Sequence, residues 1–175
     1  MPNLKAQISA NNRKKLNPKQ ANNPESKCKC EQDKEIQQCP VNGNCTTDNV
    51  VYSAEVKTRH NSKTYIGMSG RSFITRWKEH RGNLRHPHQN GTKLSKYVLT
   101  QNDNFGENIQ IKDIKWSLKA KAIPYRAGSK FCDTCLSEKT CIALANPDTI
   151  LNSRKEIVAK CPHKRDFKLK FFKPP

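Results

Sequence analysis

The chain has 175 residues, enough for one domain with a small appendage. Lys and Arg number 33 against 15 Asp and Glu, a net charge of +18, and hydrophobic residues make up 34%. No apolar run approaches the roughly 20 residues that span a bilayer, and no signal-peptide core opens the sequence, which excludes an integral membrane protein and argues against secretion. The apolar residues gather in periodic segments, which argues against a wholly disordered chain. Charge of this size speaks to partners: nucleic acid phosphate first, an anionic membrane surface second. The second lacks an amphipathic basic helix with a wide apolar face.

Residues 1–27, rich in Asn, Lys and Gln, read as a flexible basic arm or linker. Residues 28–48 carry Cys28, Cys30, Cys39 and Cys45 and too few apolar residues for a core of their own, so they read as a metal knuckle or a loop. From residue 49 the pattern changes. Val50 to Val56 is β-branched and aromatic, a predicted strand. His60 to Lys63 supplies a turn, and Thr64 to Met68 returns as the second strand of a hairpin. Ser72 caps a predicted helix through His80, with Phe73, Trp77 and Leu84 on its buried stripe. Leu94, Tyr97 and Val98 mark a second helix. Ile114, Trp116 and Leu118 alternate with Lys115, Ser117 and Lys119, a strand with one buried face. Cys135 to Ala145 suits a helix stopped by Asn146-Pro147, then come a short strand at Ile150-Leu151 and a helix around Ile157-Val158. The order fits a small α+β domain over 49–172, a mostly antiparallel sheet of a hairpin plus a third strand, flanked by helices.

Tyr52 and Tyr65 fall on adjacent predicted strands, where paired tyrosines are most often half-buried sheet packing. Arg76 and His80 follow at i and i+4 on one helix face, offset from the Phe73/Trp77 stripe and so expected to look into a cleft. Aimed at the tyrosines, they would stabilise an anion and handle a proton. The His86-Pro87-His88 loop lacks carboxylate or thiol neighbours and reads as solvated.

Cys132-x-x-Cys135 with Cys161-x-His163 forms a candidate Cys3His zinc tetrad joining two helices, with buried thiols as the alternative. Cys28, Cys30, Cys39 and Cys45 match no common finger spacing, and a second zinc there stays open. Cys141 reads as a small core residue.

Tyr52, then Tyr65-Ile66-Gly67, then Arg76 and His80, resemble the GIY-YIG nuclease family, with Val50-Val51-Tyr52 standing where Gly-Ile-Tyr is expected. The early cysteines, the strand around Trp116, Cys132-x-x-Cys135 and Cys161-Pro162-His163 narrow the resemblance to the endonuclease module of Penelope-like retroelements, over roughly residues 28–172. The resemblance implies a nicking DNA endonuclease that makes the 3′-OH used to prime integration, beside an upstream or separate reverse transcriptase, in the nucleus. It implies one Mg2+ or Mn2+ on Glu138, with Asn152 in support. Glu156 competes for the metal, but Ser153-x-x-Glu156 reads as a capping box. Tyr52 or Tyr65 would be the general base, Arg76 the stabiliser of phosphoryl charge and His80 the proton relay. Basic residues in 57–63, 112–130 and 160–173 would grip DNA phosphates without reading sequence. The rival reading is a zinc-stapled basic nucleic-acid-binding module without catalysis.

Overall fold

The computed structural model describes Cys28, Cys30, Ile36 and residues 38–85, 91–126 and 129–163. The arm read over 1–27, the His86-Pro87-His88 loop and the basic segment beyond His163 lie outside the described residues.

Strand β1 is Val50–Lys57 and β2 is Ser62–Ser69. Between them the Thr58 N–H donates to the Asn61 carbonyl at 2.8 Å, closing the turn. Strand β3 is Lys115–Lys121, and the antiparallel sheet runs β2-β1-β3. β1 takes the centre because its side chains suit burial on both faces: Val50, Val51, Tyr52, Ala54 and Val56 are all fully buried.

The helices are α1 (Phe73–Arg85), α2 (Lys93–Phe105), α3 (Asp133–Leu144) and the single turn α4 (Lys155–Val158). α2 opens where the Thr92 hydroxyl accepts from the Ser95 N–H and closes on Gly106 in the left-handed region. One sheet face, through Val50, Tyr52, Ala54 and Val56, packs on Phe73 and Trp77 of α1 and Leu94 and Val98 of α2. On the other face Val51 and Ile66 pack on Ile142 of α3. The fold is α+β, as expected.

The cysteine-rich segment joins the larger core through Cys30, Ile36, Val41 and Cys45. Its backbone also starts α1: Phe73 N–H donates to the Thr47 carbonyl at 2.9 Å and Ile74 N–H to the Cys45 carbonyl at 2.8 Å. Two of the four donors orphaned at that helix end are thereby satisfied.

Several expectations shift. The alternation predicted along β3 breaks at a bulge: Val51 pairs with Ala120 and Tyr52 with Leu118, leaving Lys119 as the extra residue. Ile114 precedes the strand, though it is buried. α3 begins at Asp133, two residues before Cys135. Ile150 makes one parallel bridge to Thr64 rather than a strand. The reason lies one step on, where the Asn152 side chain takes over the free edge of β2. Its Oδ1 accepts from the Ile66 N–H at 2.7 Å and its Nδ2 donates to the Ile66 carbonyl at 2.9 Å. No helix among the described residues is long and apolar enough to cross a membrane.

Candidate active site

Tyr52 and Tyr65 stand on the same face of the hairpin, because their partners Gly67 and Ala54 are cross-strand neighbours in one register. Their ring centroids lie 6.5 Å apart. Gly67 makes this possible: a Cβ there would meet the Tyr52 hydroxyl at 2.6 Å and Tyr65 Cε1 at 2.9 Å. Only the missing side chain lets both phenols lie across the strand. Val50, by contrast, faces the core, paired with Ser69 and Lys121.

From α1, Arg76 and His80 converge on one phenol. Arg76 Nε donates to the Tyr52 hydroxyl at 3.1 Å, and His80 Nε2 lies 2.7 Å from the same oxygen. With that oxygen already accepting from Arg76, the phenolic proton points to His80 Nε2, which requires a neutral imidazole. Burial and the Arg76 charge supply it by pushing His80 down to about 3. Burial and the neighbouring Tyr65 push Tyr52 up, against the pull of Arg76. Tyr65 is likewise raised by burial, with Arg76 opposing.

The cleft expected around His80 is not there. His80 is 1% exposed and shares the buried stripe of Phe73 and Trp77, its ring 5.4 Å from that of Trp116. Steric closure explains this: Tyr52, Tyr65 and Trp116 all pack around the imidazole. Arg76 and the half-buried Tyr65 form the accessible side instead.

Glu79 is a member that sequence reading missed. Its carboxylate takes Arg76 Nη1 at 2.9 Å and also bonds Arg71, so it fixes the guanidinium from behind. Burial works against its ionisation, but the two arginines hold it below the usual carboxylate range. The i, i+3 spacing of Arg76 and Glu79 was the available signal.

Glu138 and Glu156 occupy opposite chemical situations. Glu156 is committed: it pairs with Lys93, accepts from the Ser153 N–H at 2.9 Å and accepts from Asn152 Nδ2 at 2.8 Å. Burial opposes its charge, yet these donors hold it below the ordinary range. The capping pattern at Ser153 is therefore real, and Lys93 is a second residue that sequence reading missed. Glu138 is half-buried, and no donor among the described residues reaches its carboxylate. Burial and the charge of Glu156 raise it to about 7. A carboxylate short of donors and beside a second negative charge suits a hard divalent cation, which supplies the missing positive charge. Its charge in turn raises both tyrosines, so Glu138 belongs to the same electrostatic neighbourhood.

Two cysteine quartets flank this centre. The ligand atoms of Cys28, Cys30, Cys39 and Cys45 lie within 4.8 Å of one another, as do those of Cys132, Cys135, Cys161 and His163. None of the eight cysteines forms a disulfide. Sulfur separations of 3.2 and 3.3 Å in the first set, and 3.3 Å between Cys135 and Cys161, exceed any disulfide bond of about 2 Å and fall near the edge of a zinc–thiolate tetrahedron, about 3.7 Å. His163 Nδ1 lies 3.3 Å from Cys132 Sγ and 3.2 Å from Cys135 Sγ. Both quartets can hold a metal ion such as zinc. Cys141 is outside both and packs beside the Val51/Ile142 core.

No protein-family model, curated protein or solved structure matches the chain.

Proposed function

We propose that the chain is a divalent-metal-dependent DNA endonuclease of the GIY-YIG kind, acting within a Penelope-like retroelement to nick DNA in the nucleus and leave the 3′-OH that primes integration. The observation that carries the reading is the convergence of Arg76 and His80 on Tyr52, with Tyr65 beside them and Glu138 in electrostatic reach.

Hydrolysis forms a bond from water oxygen to phosphorus and breaks the bond from phosphorus to the 3′ oxygen. Tyr65, the half-buried tyrosine, is the one an attacking water can reach, and as the phenolate that Arg76 favours it would take the water's proton while the leaving 3′ oxygen takes one up from solvent. Tyr52, sealed in the core, acts through the groups it holds. It orients Arg76, whose charge stabilises the developing phosphorane and favours ionisation of Tyr65. Neutral His80 accepts the Tyr52 hydrogen bond and buffers the proton shifts of the pair. Glu138 would hold Mg2+ or Mn2+, which would supply Lewis acidity for the leaving oxygen. Asn152 supports the centre by holding Glu156 and the edge of β2 in place. Each cysteine quartet would hold a structural zinc, the first set beside the start of α1 and the second at the start of α3. Phosphates are held by the surrounding basic segments, and a reverse transcriptase, upstream or separate, uses the product.

Purified protein with supercoiled plasmid tests the reading. Nicked circles should accumulate with Mg2+ or Mn2+ and not without. Plasmid that is bound and never nicked under any divalent ion would make the chain the non-catalytic binding module.

A further inference from the structure

A cavity of about 420 Å3 opens between the first cysteine quartet, α1 and the start of β3. Trp77 and Trp116, the only tryptophans of the chain, line its deep side, and Gln38, Asn42, Lys112 and Lys115 are exposed around it. Among the described residues no carboxylate lines it. Trp116 separates it from the active-site pair, with ring centroids 6.0 Å from Tyr52 and 5.4 Å from His80.

We propose that this cavity binds one unpaired nucleotide of a single nucleic-acid strand. Its volume excludes a duplex and an α-helix but suits a base with its sugar. The small exposed parts of the two indoles, 5% of Trp77 and 7% of Trp116, give a base an apolar floor, and two lysines at the mouth match the flanking phosphates. The exposed amides of Gln38 and Asn42 can both donate to and accept from a base edge. Among the described residues a peptide would find no carboxylate for its cations, and a lipid chain would leave the amides and lysines unmet. Nothing here depends on cleavage. If the proposed nuclease reading holds, the site lies on the far side of Trp116 from Tyr52 and His80, where an unpaired stretch beside the nick would be held.

Because both tryptophans line the cavity, intrinsic fluorescence reads its occupancy directly. Full-length Arg76→Ala protein, without magnesium, would be titrated with an eight-residue oligothymidylate, an eight-residue oligouridylate and a blunt DNA duplex. We expect saturable quenching by the single strands, and the ratio of the two affinities tells deoxyribose from ribose. Lys112→Ala/Lys115→Ala should weaken that quenching about tenfold and flatten the log affinity versus log salt slope by about 1.4, the loss of two phosphate contacts on a single strand. Absent quenching, quenching untouched by the double substitution, or a duplex that quenches as strongly as the single strands would overturn the proposal. A protein that fails to nick plasmid but shows the expected quenching would keep the nucleotide site and lose only the nuclease.

Discussion

The Tyr52 hydroxyl and His80 Nε2 lie 2.7 Å apart inside the core, with Arg76 Nε 3.1 Å from the same oxygen. A basic nitrogen and a guanidinium thus share one phenol where water does not compete. Desolvation strengthens both contacts and fixes Arg76 from two sides, since Glu79 holds its other end.

Arg76→Ala should lower nicking by at least about 100-fold, the usual scale for one transition-state donor. DNA affinity should change less than threefold, because one guanidinium is a small part of a +18 chain. Gel-shift and nicking assays on one preparation decide this. Parallel loss of both would make Arg76 a binding residue.

The two glutamates should separate cleanly. Glu138→Ala should abolish metal-dependent nicking and keep or raise the melting temperature, since it deletes a half-buried charge with no donor. Glu156→Ala should cost about 1–2 kcal/mol of stability through the lost cap and the lost pair with Lys93, and retain a measurable rate. Reversed outcomes would move the metal to Glu156.

Acid should act on activity and stability in different windows. Glu138 must be ionised to hold a cation, so nicking should fall as pH drops through about 7. His80 has a native pKa of about 3 against 6.5 unfolded, so below 6.5 the unfolded chain binds the extra proton. The stability His80 contributes is complete above 6.5 and lost as pH falls from there towards 3. Thermal melts of wild type and His80→Gln from pH 7 to 4 would show it, the variant losing less stability across that range.

Gly67→Ala should cost activity out of proportion to stability. The added Cβ would press on the Tyr52 hydroxyl at 2.6 Å and must move the oxygen that Arg76 reads. Displacement of that order costs about 100-fold in rate. Equal activity would mean that Tyr52 does not position the site.

Loss of a ligand from either quartet should lower metal content, melting temperature and nicking together, because structural zinc contributes directly to folding free energy. Cys45→Ser disturbs the carbonyl support of α1, and Cys135→Ser the first turn of α3. Elemental analysis of both variants, with wild type carrying two zinc ions per chain, would check it. Wild type without zinc would return all eight cysteines to ordinary thiols.

Much of this was legible in the residues, for local reasons. β-branched runs, turn residues and the Asn146-Pro147 stop placed the elements, and Ser153-x-x-Glu156 announced its cap. Cys132-x-x-Cys135 pointed to its quartet because two ligands share one helical turn. The earlier quartet has irregular spacing, closed by a tight bend with Asn42 and Gly43 at positive φ that lets the Gly43 N–H reach Cys39 Sγ at 3.0 Å. Spacing alone does not encode such a bend. The i, i+4 pairing with Arg76 sets His80 on a face offset from the Phe73/Trp77 stripe, but its position three residues after Trp77 puts it on that stripe. Lys93 and Glu156 are 63 residues apart, and only the packed fold brings them together.

Asn152 behaves as a piece of strand grafted onto a side chain, giving and receiving the bonds a neighbouring backbone would. That makes the site sensitive to the chemistry of this one carboxamide. Conversion to aspartate, by substitution or by deamidation in storage, keeps the acceptor for the Ile66 N–H but sets oxygen against oxygen at the Ile66 carbonyl and at Glu156, where the amide had donated at 2.9 and 2.8 Å. One mass unit gained would turn two attractions into repulsions beside a site already crowded with negative charge. An ageing preparation would then lose cutting ability before it lost its fold.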